Sequence, residues 1–401
     1  MIGDIVMKII TEDITPDKKS LELYPLEKIA ERKEDILFID IETTGLSAKT
    51  SEIYLIGLAF YENELWHTVQ FFADQGDEED ILKSAGSFIL EHNFKLLVHY
   101  NGNRFDLPFI KFRCDKYSLA DVFEEIDSFD IYKKISKYKN VLGIPDCKQK
   151  TIELFLGIDR KDECSGGELI SVYKDYLREH DSHSYDLLIL HNLDDLKGMF
   201  QIIPILLYSE VLERFINIDT PTYKISDNKI EIPDLDLPVR ASKVQANYYN
   251  DIEGSKRIEL YMKMTLYTSL PAGIGKKFES CFFKIEGDTV TVRIPLIEDE
   301  LKYFYSNYKD YYYLPAEDTA MHKSIAEFVD KAHRQRATKA NCYTKKPGQF
   351  LPQWTLLFAP YFKKSYEDEQ VFFELTETFK KSRKAMSLYG AHIISHIITE
   401  S

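Results

Sequence analysis

Residues 36–46 read ILFIDIETTGL, and the placement of the two acids in this stretch decides how the rest of the chain is read. The first six residues are almost wholly apolar and β-favouring, as in a strand covered on both faces. Asp40 nevertheless sits inside that run and Glu42 follows it. Burying a carboxylate is costly unless something positive meets it. Side chains alternate across a strand, so Asp40 and Glu42 point to one face before Thr43, Thr44 and Gly45 turn the chain. Two carboxylates so placed make half of a metal cradle. The competing reading is a strand end whose acids cap a turn and face water, but it gives no role to T-T-G-L or to the acids that follow.

Downstream, SEIYLIGLAFYENE and LWHTVQFFA are apolar and aromatic runs split by a polar turn, which predicts an antiparallel hairpin beside the first strand. Ile81, Leu82, Ala85, Phe88 and Ile89 recur at helical spacing, and KLLVHYNG predicts a further strand. Strand, strand, strand, helix, strand is the order of an α/β layer fold with a mixed sheet. The fourth strand delivers YNGNRFDLPFIKFRC, in which Asp106 opens an apolar helical stretch, either as a site acid or as an ordinary first-turn acid. Asp130, in SFDIY, is read as structural. Leu169, Val172, Tyr173, Tyr176 and Leu177 form another helical stripe, and His180 and His183 fall in its polar exit.

The helix SYDLLILHNLDDLKGMFQIIPILLYSE carries adjacent acids, and its geometry chooses between them. Asp194, Lys197 and Gln201 form a polar stripe, while Asp195 shares its face with Leu188, His191, Met199 and Ile202. Asp195 is therefore the acid turned towards the sheet, with His191 one turn before it. Asp40, Glu42, Asp106 and Asp195 come from a strand and two helices, each embedded in apolar sequence. At about 4 Å, two carboxylates repel by roughly 4 kcal/mol at an effective dielectric of ~20, so such a cluster stays ionised only around cations. Oxygen-only ligation suits Mg²⁺ or Mn²⁺ rather than zinc.

These motifs resemble those of the DEDD, or DnaQ-like, 3′→5′ exonucleases of the ribonuclease H-like superfamily. FIDIETTGL is similar to their first motif, NGNRFD to their second, and HNLDD sits where the third places Tyr or His before the last Asp. SFDIYKKI, KTIELFLGI and SGGELISVYKDYL are similar to the YprB-like bacterial branch. The resemblance spans roughly residues 34–210 and implies a mixed sheet flanked by helices, two Mg²⁺ or Mn²⁺ ions, and trimming of single-stranded DNA or RNA from the 3′ end. It further implies that Asp40 bridges both ions, with Glu42, Asp106 and Asp195 completing the coordination. Thr43, Thr44, Gly45, Leu46, Asn101 and Phe105 would line the pocket of the terminal nucleotide. One departure stands out: His191 and Asp195 put histidine at the spacing that the tyrosine-type enzymes use. By resemblance His191 orients or deprotonates the attacking water, so His191→Ala should lower turnover and leave metal binding nearly intact. The alternative is a catalytically silent nucleic-acid-binding or scaffolding protein of the same fold.

Composition bounds the rest. The 401 residues exceed the usual size of one core, which predicts a lead-in segment at 1–33, the exonuclease domain at 34–218 and an α+β accessory domain at 219–401. Lys and Arg total 51 against 66 Asp and Glu, a net of −15, which excludes a protein that holds nucleic acid by bulk charge. Residues 1–218 carry 25 basic and 41 acidic side chains and residues 219–401 carry 26 and 25, so the acidity lies in the first half. Five cysteines without a C-x-x-C predict reduced thiols. No signal peptide or membrane span is legible, and a cytoplasmic protein is expected. In the second half VRASKVQANYY, DTAMHKSIAEFVDKAHRQRATKA and DEQVFFELTETFKKSRKAMSLYGAHIISHII read as helical. Arg334, Arg336 and Lys339 lie in a basic stretch after the aromatic run YFYSNYKDYYYLP. That pairing suits a single-strand channel, or else tyrosines along a half-buried strand beside a solvated basic face.

Overall fold

The computed structural model describes residues 7–158, 166–219, 221–226, 229–250 and 254–400. Two compact units divide the chain, one of residues 1–140 with 144–209 and one of residues 141–143 with 210–401.

The first unit is built on a six-stranded sheet. Its strands are β1 (Lys8–Ile14), β2 (Ile36–Thr43), β3 (Ile53–Glu62), β4 (Leu65–Phe72), β5 (Leu96–His99) and β6 (Asp127–Asp130), in the order β1-β4-β3-β2-β5-β6. The pairs β1/β4, β4/β3 and β3/β2 are antiparallel, whereas β2/β5 and β5/β6 are parallel. The lead-in segment thus supplies an edge strand and the short helix α1 (Lys18–Leu23). The remaining helices are α2 (Glu78–Glu91), α3 (Asp106–Tyr117), α4 (Ile131–Ile135), α5 (Lys139–Leu142), α6 (Gln149–Phe155), α7 (Gly166–Glu179) and α8 (Ser182–Ile202).

Strand β2 is central and nearly wholly buried. Leu37, Ile39 and Ile41 join one apolar cluster with Ile81, Leu82, Ala85 and Ile89 of α2 and Phe109 and Ile110 of α3. By alternation Phe38, Asp40 and Glu42 belong to the opposite face, where Phe200 of α8 packs on Phe38 and Trp66 at ring separations of 4.2 and 4.7 Å. Helix α8 crosses that face over Gly57 and Ala59, which stand opposite Asp40 and Phe38 in the β2/β3 register. Among the described residues no helix is long and apolar enough to cross a membrane. Cys114, Cys147, Cys281 and Cys342 are buried free thiols, and Cys164 lies outside the described residues.

The second unit is β-rich, and two expected helices are strands. VRASKVQANYY lies in Val239–Asn250, which pairs antiparallel with Lys256–Leu266 along almost its whole length. Its start alternates buried Val239, exposed Arg240 and buried Ala241, a period-two signal that the helical reading passed over. The stretch 318–340 forms strands Thr319–His322 and Gln335–Arg336 with two short helical turns, Lys323–Ala326 and Lys331–His333, between them. No apolar stripe holds it as a helix: Ile325 and Phe328 are exposed, and both strands pair with Tyr311–Leu314 instead. The helix expected over 368–398 forms only in part: Val371–Glu374 is a strand paired antiparallel with Tyr343–Gln353, and helices Glu377–Lys381 and Arg383–Thr399 follow it.

Candidate metal and nuclease site

Strand β2, helix α3 and helix α8 bring Asp40, Glu42, Asp106, His191 and Asp195 into one cavity of about 480 Å³, which Asn101, Phe105, Lys148, Gln149 and Lys150 also line. The five side chains named from the motifs therefore meet. Residues 43–46 are not among those lining the cavity, although they continue β2 from Glu42. Thr43 Oγ1 donates to Gly45 O at 2.8 Å, Thr44 Oγ1 accepts from Glu52 N at 2.9 Å, and Leu46 is 87% exposed.

Asp106 and Asp40 are each held by a partner distant in sequence. Asp106 Oδ1 accepts from the Ile41 N–H at 3.3 Å, tying the start of α3 to β2. Asn192 Nδ2 donates to Asp40 Oδ2 at 2.8 Å and to Asp40 O at 3.3 Å. Asn192 is fully buried, and its Oδ1 accepts from Gln70 Nε2 at 2.9 Å, which fixes the amide's orientation. Asp40, Gly57 and Gln70 are register partners across β2, β3 and β4. A Cβ on Gly57 would stand 1.9 Å from Asn192 Oδ1, so only glycine there lets the amide lie across the sheet. On its other side α8 meets α6, where Gln149 Nε2 donates to Asp195 O at 3.0 Å and a Cβ on Gly198 would stand 2.5 Å from that nitrogen.

The second motif is organised by His99. Its Nδ1 accepts from Gly102 N at 3.0 Å, so the proton sits on Nε2, which is 2.8 Å from Ser128 Oγ; that hydroxyl donates to Asn103 Oδ1 at 2.7 Å. Burial pushes the His99 pKa down to about 4, against the opposing charge of Asp130, and keeps the ring neutral. Asp130 accepts from the N–H groups of Asn101 and Asn103 and caps α4, the structural part expected of it. Asn101 adopts φ +65° and its Oδ1 is buried at the cavity without a hydrogen-bond partner. The turn after β2 has its own brace. Buried Arg113 pairs with buried Glu78, Arg113 Nη1 donates to Ala48 O at 3.0 Å, and Glu78 Oε1 accepts from Ile53 N at 2.7 Å.

Desolvation, then the carboxylates of Asp195, Glu42 and Asp106, push the Asp40 pKa well above the usual range, and the Asn192 hydrogen bond opposes them. Burial pushes Asp106 up to about 7. Carboxylates that resist ionisation together, opening on one cavity, are the donor set a divalent cation relieves. The residues present therefore fit such ions. Beside the carboxylates, one ligand atom each from Glu42, His191 and Asp195 lie within 4.8 Å of one another.

Arg334, Arg336 and Lys339 belong to the second unit; the Arg334 guanidinium lies 4.8 Å from the Tyr312 ring centroid and donates to Ala326 O, while Arg336 and Lys339 are exposed. Tyr311, Tyr312 and Tyr313 are half-buried on their strand, with Tyr311 stacked on Tyr305 at 4.4 Å. Sequence reasoning missed Gly57, Gln70, His99, Arg113, Lys148, Lys150 and Asn192. The glycine inside a β run was the one local signal among them.

A mixed sheet with its central strand bearing paired acids, flanked by helices that bring two more, is a ribonuclease H-like fold. Residues 37–207 match the family model described as the RNase_H superfamily. No curated protein matches the sequence. Among solved structures, the family B DNA polymerase from the hyperthermophilic archaeon Pyrobaculum calidifontis is 16% identical, with 45% of this chain and 25% of that chain covered at a TM-score of 0.35. The ExoI/SSB-Ct complex is 10% identical over 59% and 56% of the two chains at a TM-score of 0.31. A structure of exonuclease I is 12% identical over 58% and 55% at 0.30. The aligned region spans between a quarter and just over half of those chains, and likenesses this loose carry no argument about activity.

Proposed function

We propose that the first unit is a divalent-cation-dependent 3′→5′ exonuclease of the DEDD type, acting on single-stranded DNA or RNA. The observation that carries the reading is the convergence of Asp40, Glu42, Asp106 and Asp195 on one cavity, with Asp40 and Asp106 held above the ordinary carboxylate range. The RNase_H superfamily match over the same residues supports it. Asp40, Glu42, Asp106 and Asp195 would hold two Mg²⁺ or Mn²⁺ ions. Bound there, such a pair would lower the pKa of the attacking water and neutralise the leaving 3′ oxygen.

The chain's own residues do the rest. Asn192 and the Ile41 N–H keep Asp40 and Asp106 aimed into the cavity, which spares their reorganisation during the reaction. Asn101 offers an unpartnered carbonyl to a terminal sugar, and Phe105 offers an apolar wall. Exposed Leu46, beyond the end of β2, supplies an apolar contact for the terminal base. Lys148 and Lys150 bring positive charge to the cavity wall, where backbone phosphates would otherwise meet four acids. In the second unit, taken by itself, exposed Arg336 and Lys339 are candidates for contacts to nucleic-acid phosphates.

The test is digestion of 3′- and 5′-labelled DNA and RNA strands with Mg²⁺, Mn²⁺ or EDTA. Laddering from the 3′ end that EDTA abolishes supports the reading. Strand binding without cleavage, under every cation, makes the protein a binding module instead.

A further inference from the structure

His191 is buried between two of the carboxylates. Its Nε2 lies 3.4 Å from Asp195 Oδ2 and 3.6 Å from Glu42 Oε1. A charge-assisted hydrogen bond from imidazolium to carboxylate is shorter, about 2.7–2.9 Å. Two donors sharing one cation at about 2.1 Å stand about 3.0 Å apart at a right angle and about 3.4 Å apart at the tetrahedral angle. The observed 3.4 and 3.6 Å are longer than a tight ion pair and within a few tenths of an ångström of the separation of donors that share one ion.

The helix holds the imidazole in this place. His191 and Asp195 are four residues apart and so share a face of α8. That helix is fixed against the sheet by Asn192 above Gly57 and against α6 by Gln149 beside Gly198. Both contacts restrain rotation about the helix axis, which would be needed to carry Nε2 away from Glu42.

We propose that His191 is itself a metal ligand, and that Glu42, His191 and Asp195 form a mixed nitrogen–oxygen site favouring Mn²⁺ or another first-row transition ion over Mg²⁺. Asp40 and Asp106 supply the oxygen-only position beside it. Mg²⁺ gains little from an imidazole nitrogen, whereas transition ions bind it well, so the third donor separates the two kinds of ion. The role differs from water activation, in which His191 stays off the metal. The proposal rests on the nuclease reading only in requiring that cations bind, and binding is measured without substrate.

The experiment is Mn²⁺ titration of the full chain followed by continuous-wave and pulsed EPR, with Mg²⁺ affinity from calorimetry. Wild type should show the ¹⁴N modulation of a directly bound imidazole. His191→Ala should lose it and bind Mn²⁺ at least about tenfold more weakly, with Mg²⁺ affinity changed less than about twofold. Asp106→Asn should keep the ¹⁴N signal. Bound Mn²⁺ without ¹⁴N coupling in wild type would overturn the ligand role and leave the nuclease reading standing. No Mn²⁺ binding by a wild type that binds Mg²⁺ would overturn the ligand role alone, and binding of neither ion would overturn both. The wild-type spectrum is decisive even where a variant folds poorly.

Discussion

Replacing Asn192 by alanine tests how the site holds its central acid. The substitution removes the Nδ2 donor 2.8 Å from Asp40 Oδ2 and the acceptor 2.9 Å from Gln70 Nε2. Gln70 keeps its bond to Ile189 O at 3.0 Å, so most of the damage falls on Asp40. A hydrogen bond to a charged group contributes about 1.5–3 kcal/mol. If that stabilisation belongs to the ionised carboxylate, cation affinity near neutral pH falls roughly 10- to 150-fold. The sign follows from linkage: the Asn192 bond lowers an Asp40 pKa that burial and neighbouring acids raise, so its loss drives the pKa higher still. Protons then compete better with the cation, and the defect is larger at pH 6.5 than at pH 8.5. Calorimetric titration of Mn²⁺ at both values reads this directly, with circular dichroism as the check on folding. Gly57→Ala should reproduce the defect without touching a polar group, because its Cβ would displace the amide. Affinity within twofold of wild type at both pH values would refute the reasoning.

Two further expectations concern stability. Asp106, pushed from 3.8 to about 7, and Asp40, also raised, hold protons more tightly folded than unfolded. Their contribution to cation-free stability is therefore fully present below about pH 4 and is lost as pH rises through about 7, by about 4 kcal/mol at most for Asp106. Melting in EDTA should show a Tm that falls over this window, and a slope unchanged in Asp106→Asn would exclude the buried acid as its source. Arg113→Ala leaves Glu78 buried without its ion-pair partner and frees the turn at Ala48 and Ile53, which should cost about 3–5 kcal/mol in denaturant unfolding. A loss below about 1 kcal/mol would show that the pair does not brace the turn.

The acids were legible because each stands in an apolar run where a charge has no structural excuse, and because strand and helix periods say which way Asp40, Glu42 and Asp195 face. The supporting polar groups were not legible for the opposite reason. Asn192, Gln70 and His99 are unremarkable in their own sequence neighbourhoods, and their meaning comes from contacts such as Gln70 with Asn192, 122 residues apart. Gly57 acquires its reason only from the β2/β3 register. His191 was correctly placed on the inward face, but the distances that make it a candidate ligand depend on where α8 settles on the sheet. In the second unit, 239–250 was misread because Arg240, Lys243, Gln245 and two asparagines mask a two-residue alternation. At 318–340 scattered apolar residues imitated a helix whose face nothing covers.

The central claim is that the four carboxylates form a working cation site for phosphodiester hydrolysis. The most direct test is a time course on a 3′-extended labelled strand with Mn²⁺, comparing wild type with Asp40→Ala, which removes one of the cavity's four acids while leaving the apolar residues of β2 in place. The account predicts stepwise shortening from the 3′ end by wild type and a loss of at least about a thousandfold in the variant, in keeping with removal of a charge-stabilising group at the reacting centre. Equal rates in the two proteins would contradict it.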